Sequence, residues 1–171
     1  MSQMLLFMAL AIVAIWWWTS RTRVSPAPVA MVAQRIQFPG GVRLHDAEGA
    51  LTVLRNPEEI VIPHEHATLV IDYPLSTPAK ISISAKFPLG FTRAELIKAV
   101  CEEYENIYEA EEATATTKAI PLEERTTLKN RNRTDGVYGI YGHDLDDLVL
   151  TAARWSRGTD GTVTIELHVE S

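Results

Sequence analysis

The stretch KISISAKFPLGFTRAELIKAVCEEYENIY, residues 80–108, contains the change of hydrophobic period that decides the fold. From Lys80 to Phe87 apolar and polar residues alternate strictly, which predicts a strand with one buried and one solvated face. From Thr92 onward apolar residues recur every three or four positions, which predicts an amphipathic helix. Because each element has one apolar side, we expect the helix to cover the apolar face of a sheet.

The start of this helix is marked by TRAE at 92–95, which has the form of a capping box. Thr92 is expected to accept a hydrogen bond from the Glu95 amide, while the Glu95 side chain reaches back to the Thr92 amide. Phe91 and Leu96 flank the box and are expected to form a hydrophobic staple, which sets how the chain enters the helix.

Three further stretches have strand patterns, one before the helix and two after it: residues 68–73, 148–155 and 162–169. An Asp-Gly pair at 160–161 is a strong hairpin signal between the last two. The order is therefore β-β-α-β-β. For residues 67–171 it predicts an α+β fold, a two-layer sandwich of an antiparallel sheet with one main helix.

Two polar surfaces result from this arrangement, and either could meet a partner. The polar sheet face carries Lys80, Ser82, Ser84, Lys86, Glu166 and His168. The outer helix face carries Glu102, Glu103, Glu105 and Glu109.

Residues 113–135 predict an exposed loop. Residues 36–66 predict a weakly patterned β extension, with VRLHD at 42–46 and ALTVL at 50–54 as short strands.

Residues 1–20 predict a single transmembrane helix, because an unbroken apolar run extends from Met4 to Trp18. Its C-terminal end has the tryptophans and arginines typical of a water–lipid boundary: Trp16, Trp17, Trp18, Arg21 and Arg23. The positive-inside rule then predicts a single-pass membrane protein whose domain lies on the cytoplasmic side, after a proline-containing linker at 21–35. The alternative is a cleaved secretory signal, which is disfavoured because no basic residue precedes the run.

The composition of the chain disfavours several classes of binding site and cofactor. A formal net charge of −6 disfavours a general nucleic-acid binder. Cys101 is the single cysteine, so the chain cannot form an internal disulfide or a cysteine-based metal cluster. No cofactor motif is recognisable, and no cofactor is predicted.

His143 and Asp144, within YGIYGHDLDDL at 138–148, are the candidates for chemistry. An imidazole beside aspartates suits a metal- or acid/base-dependent enzyme. The spacing matches no standard metal motif. A structural interpretation is favoured, in which Asp144 caps a short helical turn and Leu145 and Leu148 pack in the core.

Two weaker candidates remain. His64 and His66 form a His-x-His pair without an obvious third ligand, which favours a solvated loop over a metal site. Basic residues of the long loop suggest an anionic-lipid or nucleic-acid contact, although an ordinary solvated loop is favoured: Arg125, Lys129, Arg131 and Arg133.

Two stretches, GFTRAELIKAVCEEYENIYEAEE at 90–112 and YGIYGHDLDDLVL at 138–150, resemble a family of uncharacterised proteins encoded by large DNA viruses of algae and protists. The resemblance covers about the last 110 residues. It implies a viral protein and, with the predicted anchor, a host membrane or the internal membrane of a virion. The family carries no assigned chemistry.

These patterns predict a membrane-anchored, non-enzymatic interaction or structural module that docks an unknown protein partner through its polar sheet face or acidic helix face. The alternatives are an enzyme centred on His143 and Asp144, and an anionic contact through residues 125–133.

Overall fold

The computed structural model describes residues 32–126 and 130–171, which belong to one compact unit, Met31–Ser171. Seven strands, two helices and two short 3-10 turns form its framework. They are β1 (Val32–Arg43), α1 (Ala47–Val53), β2 (Ile60–Ile62), β3 (His66–Ile71), β4 (Ala79–Ser84), β5 (Phe91–Thr92), α2 (Arg93–Thr114), the turns Leu122–Glu124 and Leu145–Asp147, β6 (Val149–Arg157) and β7 (Val163–Glu170).

The main sheet has the strand order β1-β6-β7-β3-β4, and β2 and β5 form a separate pair. Neighbouring strands of the main sheet are antiparallel except β3 and β7, which are parallel. The prediction of a purely antiparallel sheet is wrong at this pair. After the β3–β4 hairpin, α2 carries the chain over the sheet, and the β6–β7 hairpin then inserts between β1 and β3.

The core lies between the sheet and α2, as the hydrophobic periods predict. Leu69, Trp155 and Ile165 are buried on the inner sheet face, and α2 covers them with its own buried stripe. That stripe consists of Leu96, Ile97, Val100, Cys101, Tyr104, Ile107 and Glu111. The α+β class with one main helix is confirmed. Burial also raises the pKa of the Cys101 thiol to about 12, which suits a core residue.

The predicted start of α2 is confirmed in detail. The Thr92 hydroxyl accepts from the Glu95 amide at 3.2 Å, and the Glu95 carboxylate accepts from the Thr92 amide at 2.8 Å. The backbone hydrogen bond from Thr92 lowers the pKa of Glu95. Phe91 and Leu96, the two staple residues, are both buried.

Residues 36–66 differ from the predicted extension. β1 is an edge strand of the main sheet, and the stretch 50–54 belongs largely to α1 and not to a strand. The local reason is Asp46, whose side chain accepts from the Gly49 amide at 2.8 Å and caps the helix.

Two irregularities interrupt the β1–β6 and β6–β7 ladders. In β1 the register shifts between Gln37 and Val42, where the chain passes through glycines with positive φ at 40 and 41. In β6 the register against β7 shifts between Leu150 and Ala152, so Thr151 is an extra residue in that strand.

The membrane prediction requires correction. No helix within residues 32–126 and 130–171 is long and apolar enough to span a membrane. The longest helix described, α2, has 22 residues, but its outer side is charged. This finding overturns the transmembrane part of the predicted fold and the single-pass localisation. Residues 1–20 and 21–31 lie outside the described residues, and so do the boundary candidates Trp16, Trp17, Trp18, Arg21 and Arg23.

Candidate functional site

The structure joins two clusters that the sequence kept apart. Arg125 binds the Asp144 carboxylate in a bidentate ion pair, with nitrogen–oxygen distances of 2.7 and 3.0 Å. Arg131 approaches the same carboxylate at 3.5 Å. Both arginine side chains are almost completely buried, with 5% and 8% exposed. Burial by itself would raise the pKa of Asp144, but the hydrogen bonds and charges of the two arginines outweigh it and lower that pKa.

The loop around Asp144 contains a short helical turn whose leucines pack toward the core, as the structural interpretation of its sequence expects. The Asp144 amide donates to the Asp147 carboxylate at 3.1 Å, at the start of the Leu145–Asp147 turn. Leu148 is completely buried and Leu145 packs against the core. Asp144 therefore closes a turn and ties down the long loop at the same time.

His143 lies in a different set of contacts. Its Nε2 is 3.2 Å from the Ser171 hydroxyl, which in turn lies 2.9 Å from the Tyr73 hydroxyl. The rings of Tyr73 and His143 contact each other, with centroids 5.7 Å apart. Within the described residues no carboxylate contacts this imidazole, because Asp144 is directed to the arginines. A catalytic histidine is commonly oriented by such a third group.

Two tyrosines of α2, Tyr104 buried and Tyr108 partly buried, hold this cluster in place. Tyr104 donates to the Tyr73 carbonyl at 2.8 Å, and Tyr108 donates to the His143 carbonyl at 3.0 Å. Burial raises the pKa of both phenols, so both remain hydrogen-bond donors. The guanidinium of Arg131 also lies over the Tyr108 ring, 5.3 Å from its centroid.

Glu111 is the most enclosed polar side chain of this region, and the sequence analysis missed it. It has no solvent exposure and accepts hydrogen bonds from the Thr134 hydroxyl and from four backbone amides between Gly136 and Ile140. Burial would raise its pKa, but these hydrogen bonds lower it. A signal was present, because Glu111 follows Ile107 by four positions and so continues the apolar stripe.

The remaining candidates are dispersed. His66 is exposed and contacts Ser84 at 3.0 Å, whereas the His64 ring packs against Trp155. Arg133 donates to the Ser76 hydroxyl at 2.9 Å. Lys129 lies outside the described residues. Among the residues that are described, no group of three or more His, Cys, Asp or Glu side chains is arranged to hold a metal ion.

The sheet face opposite α2 carries a row of charged side chains and a row of hydroxyl side chains, and we call it the open face. One row across it runs in register from Arg35 through Arg154, Glu166 and Val70 to Lys80. A second row consists of the hydroxyl residues Ser156, Thr164, Thr68 and Ser82. The four charged side chains of the first row are exposed, and none forms an ion pair with another described residue. Of the predicted face, Lys86 lies beyond the end of β4.

Comparison of the chain with protein-family models, with curated proteins and with solved structures finds no match in any of the three. The resemblance to proteins of large DNA viruses therefore stays a prediction.

Proposed function

We propose that this protein is a non-enzymatic interaction module and that the open face is the surface on which it docks another protein. The observation that carries the proposal is the row of exposed, unpaired charges beside a row of hydroxyl groups, on a five-stranded sheet whose other face is the core. Both rows lie on regular strands, which hold side chains at fixed spacing.

The polar side chains of the candidate site around Asp144 are engaged in internal contacts. Glu111 is bound by loop amides, and Asp144 is bound by Arg125 and Arg131. Because both arginine side chains are almost completely buried, they present little surface to an external anion. An enzyme at His143 has one observation in its favour, the contact with Ser171, but no described carboxylate orients the imidazole.

The test is site-specific photocrosslinking with the full-length chain in the cells that naturally make it. A photoreactive residue replaces Ser82 or Thr164 on the open face, or Asn106 on the outer side of α2 as the control. We expect the same discrete adduct from both open-face positions and none from Asn106. Adducts from Asn106 alone would move the docking surface to the acidic helix, and no adduct from any position would overturn the proposal.

A further inference from the structure

Two arginines stand directly opposite each other on the open face. Arg35 of β1 pairs in register with Arg154 of β6, so their Cβ atoms are expected to lie about 5 Å apart. Like charges in this position destabilise a sheet. Glu166 is opposite Arg154 on its other side, yet neither arginine forms an ion pair with a described residue. The fold thus keeps an electrostatic cost that a bound anion would remove.

A pocket of about 240 Å³ lies beside this arginine pair. Ala152 lines it and pairs with Gln37 on one side and with His168 on the other. Because alanine is small, it leaves a depression between its longer neighbours. Arg35, Arg154 and His168 also line the pocket, and Glu166 is the only acidic residue among the described ones that line it. His168 Nδ1 lies 3.2 Å from the Thr151 hydroxyl and 3.8 Å from the Glu170 carboxylate, and its Nε2 forms no hydrogen bond or ion pair with a described residue.

We infer that this pocket binds a carboxylate side chain from an acidic segment of the docked protein. The inference rests on the function proposed above and names the chemistry of its partner. Guanidinium groups bind carboxylates through paired hydrogen bonds, and two adjacent guanidiniums suit one carboxylate placed between them. The described residues of the open face include no Phe, Tyr or Trp on which bases could stack. This feature favours an acidic protein segment over nucleic acid.

The test measures the fluorescence anisotropy of a labelled ten-residue glutamate peptide titrated with the full-length chain at low salt. Arg154→Gln removes one charge of the pair, and Ala152→Leu fills the depression without changing any charge. Lys98→Gln is the control, since it removes the same charge from an exposed position on α2. We expect Arg154→Gln and Ala152→Leu each to weaken binding of the peptide about tenfold. Each change would cost the bound carboxylate about one charge-assisted hydrogen bond, either by removing the donor or by blocking access to it. Lys98→Gln should change binding less than twofold, because exposed single charges contribute little.

Circular dichroism verifies the fold of each variant, and Arg154→Gln keeps the test decisive if Ala152→Leu fails to fold. Equal weakening by Lys98→Gln, or no binding of the peptide, would overturn the inference. So would equally tight, Arg154-dependent binding of a ten-nucleotide thymidine oligomer, which would assign the pocket to phosphates. Crosslinking from Ser82 and Thr164 is independent of these results, so the docking function can stand when the carboxylate pocket fails.

Discussion

The Thr134 hydroxyl donates a 2.6 Å hydrogen bond to the Glu111 carboxylate, and both side chains are excluded from solvent. The donor belongs to the loop that precedes the Leu145–Asp147 turn, and the acceptor lies on the last turns of α2. One buried charge therefore fixes the path of residues 134–140. Gly136 is part of this fit, because a Cβ atom there would lie 2.6 Å from Glu111 Cδ.

Replacing Glu111 by Gln is expected to lower the free energy of unfolding by about 3 kcal/mol, because the new amide group would face backbone donors that need an acceptor. Urea denaturation measures the change. Glu112→Gln is the matched control, since Glu112 forms only an exposed pair with Lys118, and its loss should cost less than about 1 kcal/mol. Similar effects of the two variants would contradict the role given to Glu111.

Acid should destabilise the fold through the same carboxylate. The pKa of Glu111 in the folded chain is below its ordinary value of 4.5, so the unfolded chain binds its proton first as the pH falls. The stabilisation by Glu111 is complete above the ordinary pKa and is lost as the pH falls through the folded value. The melting temperature of the wild type should therefore fall more steeply below about pH 4.5 than that of Glu111→Gln. Parallel profiles in this range would exclude Glu111 as a source of the acid sensitivity.

Asp144→Asn is expected to release the long loop, because it removes the charge that Arg125 and Arg131 share. We expect a loss of stability of about 2 kcal/mol, with faster trypsin cleavage at residue 125 or 131 and faster amide exchange in that loop. Asp146→Asn is the control, because the Asp146 side chain is 81% exposed. If trypsin cleaves both variants at the wild-type rate, Asp144 does not hold the loop.

Arg35→Gln should stabilise the protein, which is unusual for a change in a regular strand. It removes a like charge opposite Arg154, and the expected gain is about 0.5 kcal/mol at low salt, vanishing in 1 M salt. Arg43→Gln is the control, because Arg43 is opposite Val149. The measurement is the melting temperature of the wild type, Arg35→Gln and Arg43→Gln at low salt and in 1 M salt. A gain that persists in 1 M salt would point to a cause other than charge repulsion.

The parts of the fold that the sequence predicted are those that local patterns encode. The alternation after Lys80 and the capping box at Thr92 depend on neighbours within four residues. The parallel pairing of β3 with β7 depends on how α2 crosses the sheet, and no local pattern records that. The helix α1 was missed because a short apolar run suits a strand equally well when the Asp46 cap is overlooked.

The candidate site was predicted only in part for the same reason. His143 and Asp144 were identified from residue type, but Arg125 is 19 positions from Asp144, and their pairing is a tertiary contact. Glu111 was overlooked because its charge suggested the solvated side of the helix, although its position matched the buried side. Likewise, the pairing of Arg35 with Arg154 requires the strand order, which the sequence left open.

The extra residue at Thr151 lies outside the alternation that β7 imposes on β6. Leu150 lies opposite Val169 on the core side, and the next paired residue, Ala152, lies opposite His168 on the open face, so the alternation would continue unbroken without Thr151. Trp155 would still lie opposite Ile165, and Arg154 would still lie opposite Glu166. The strand can therefore lose one residue at this position while both of its faces keep the same side chains.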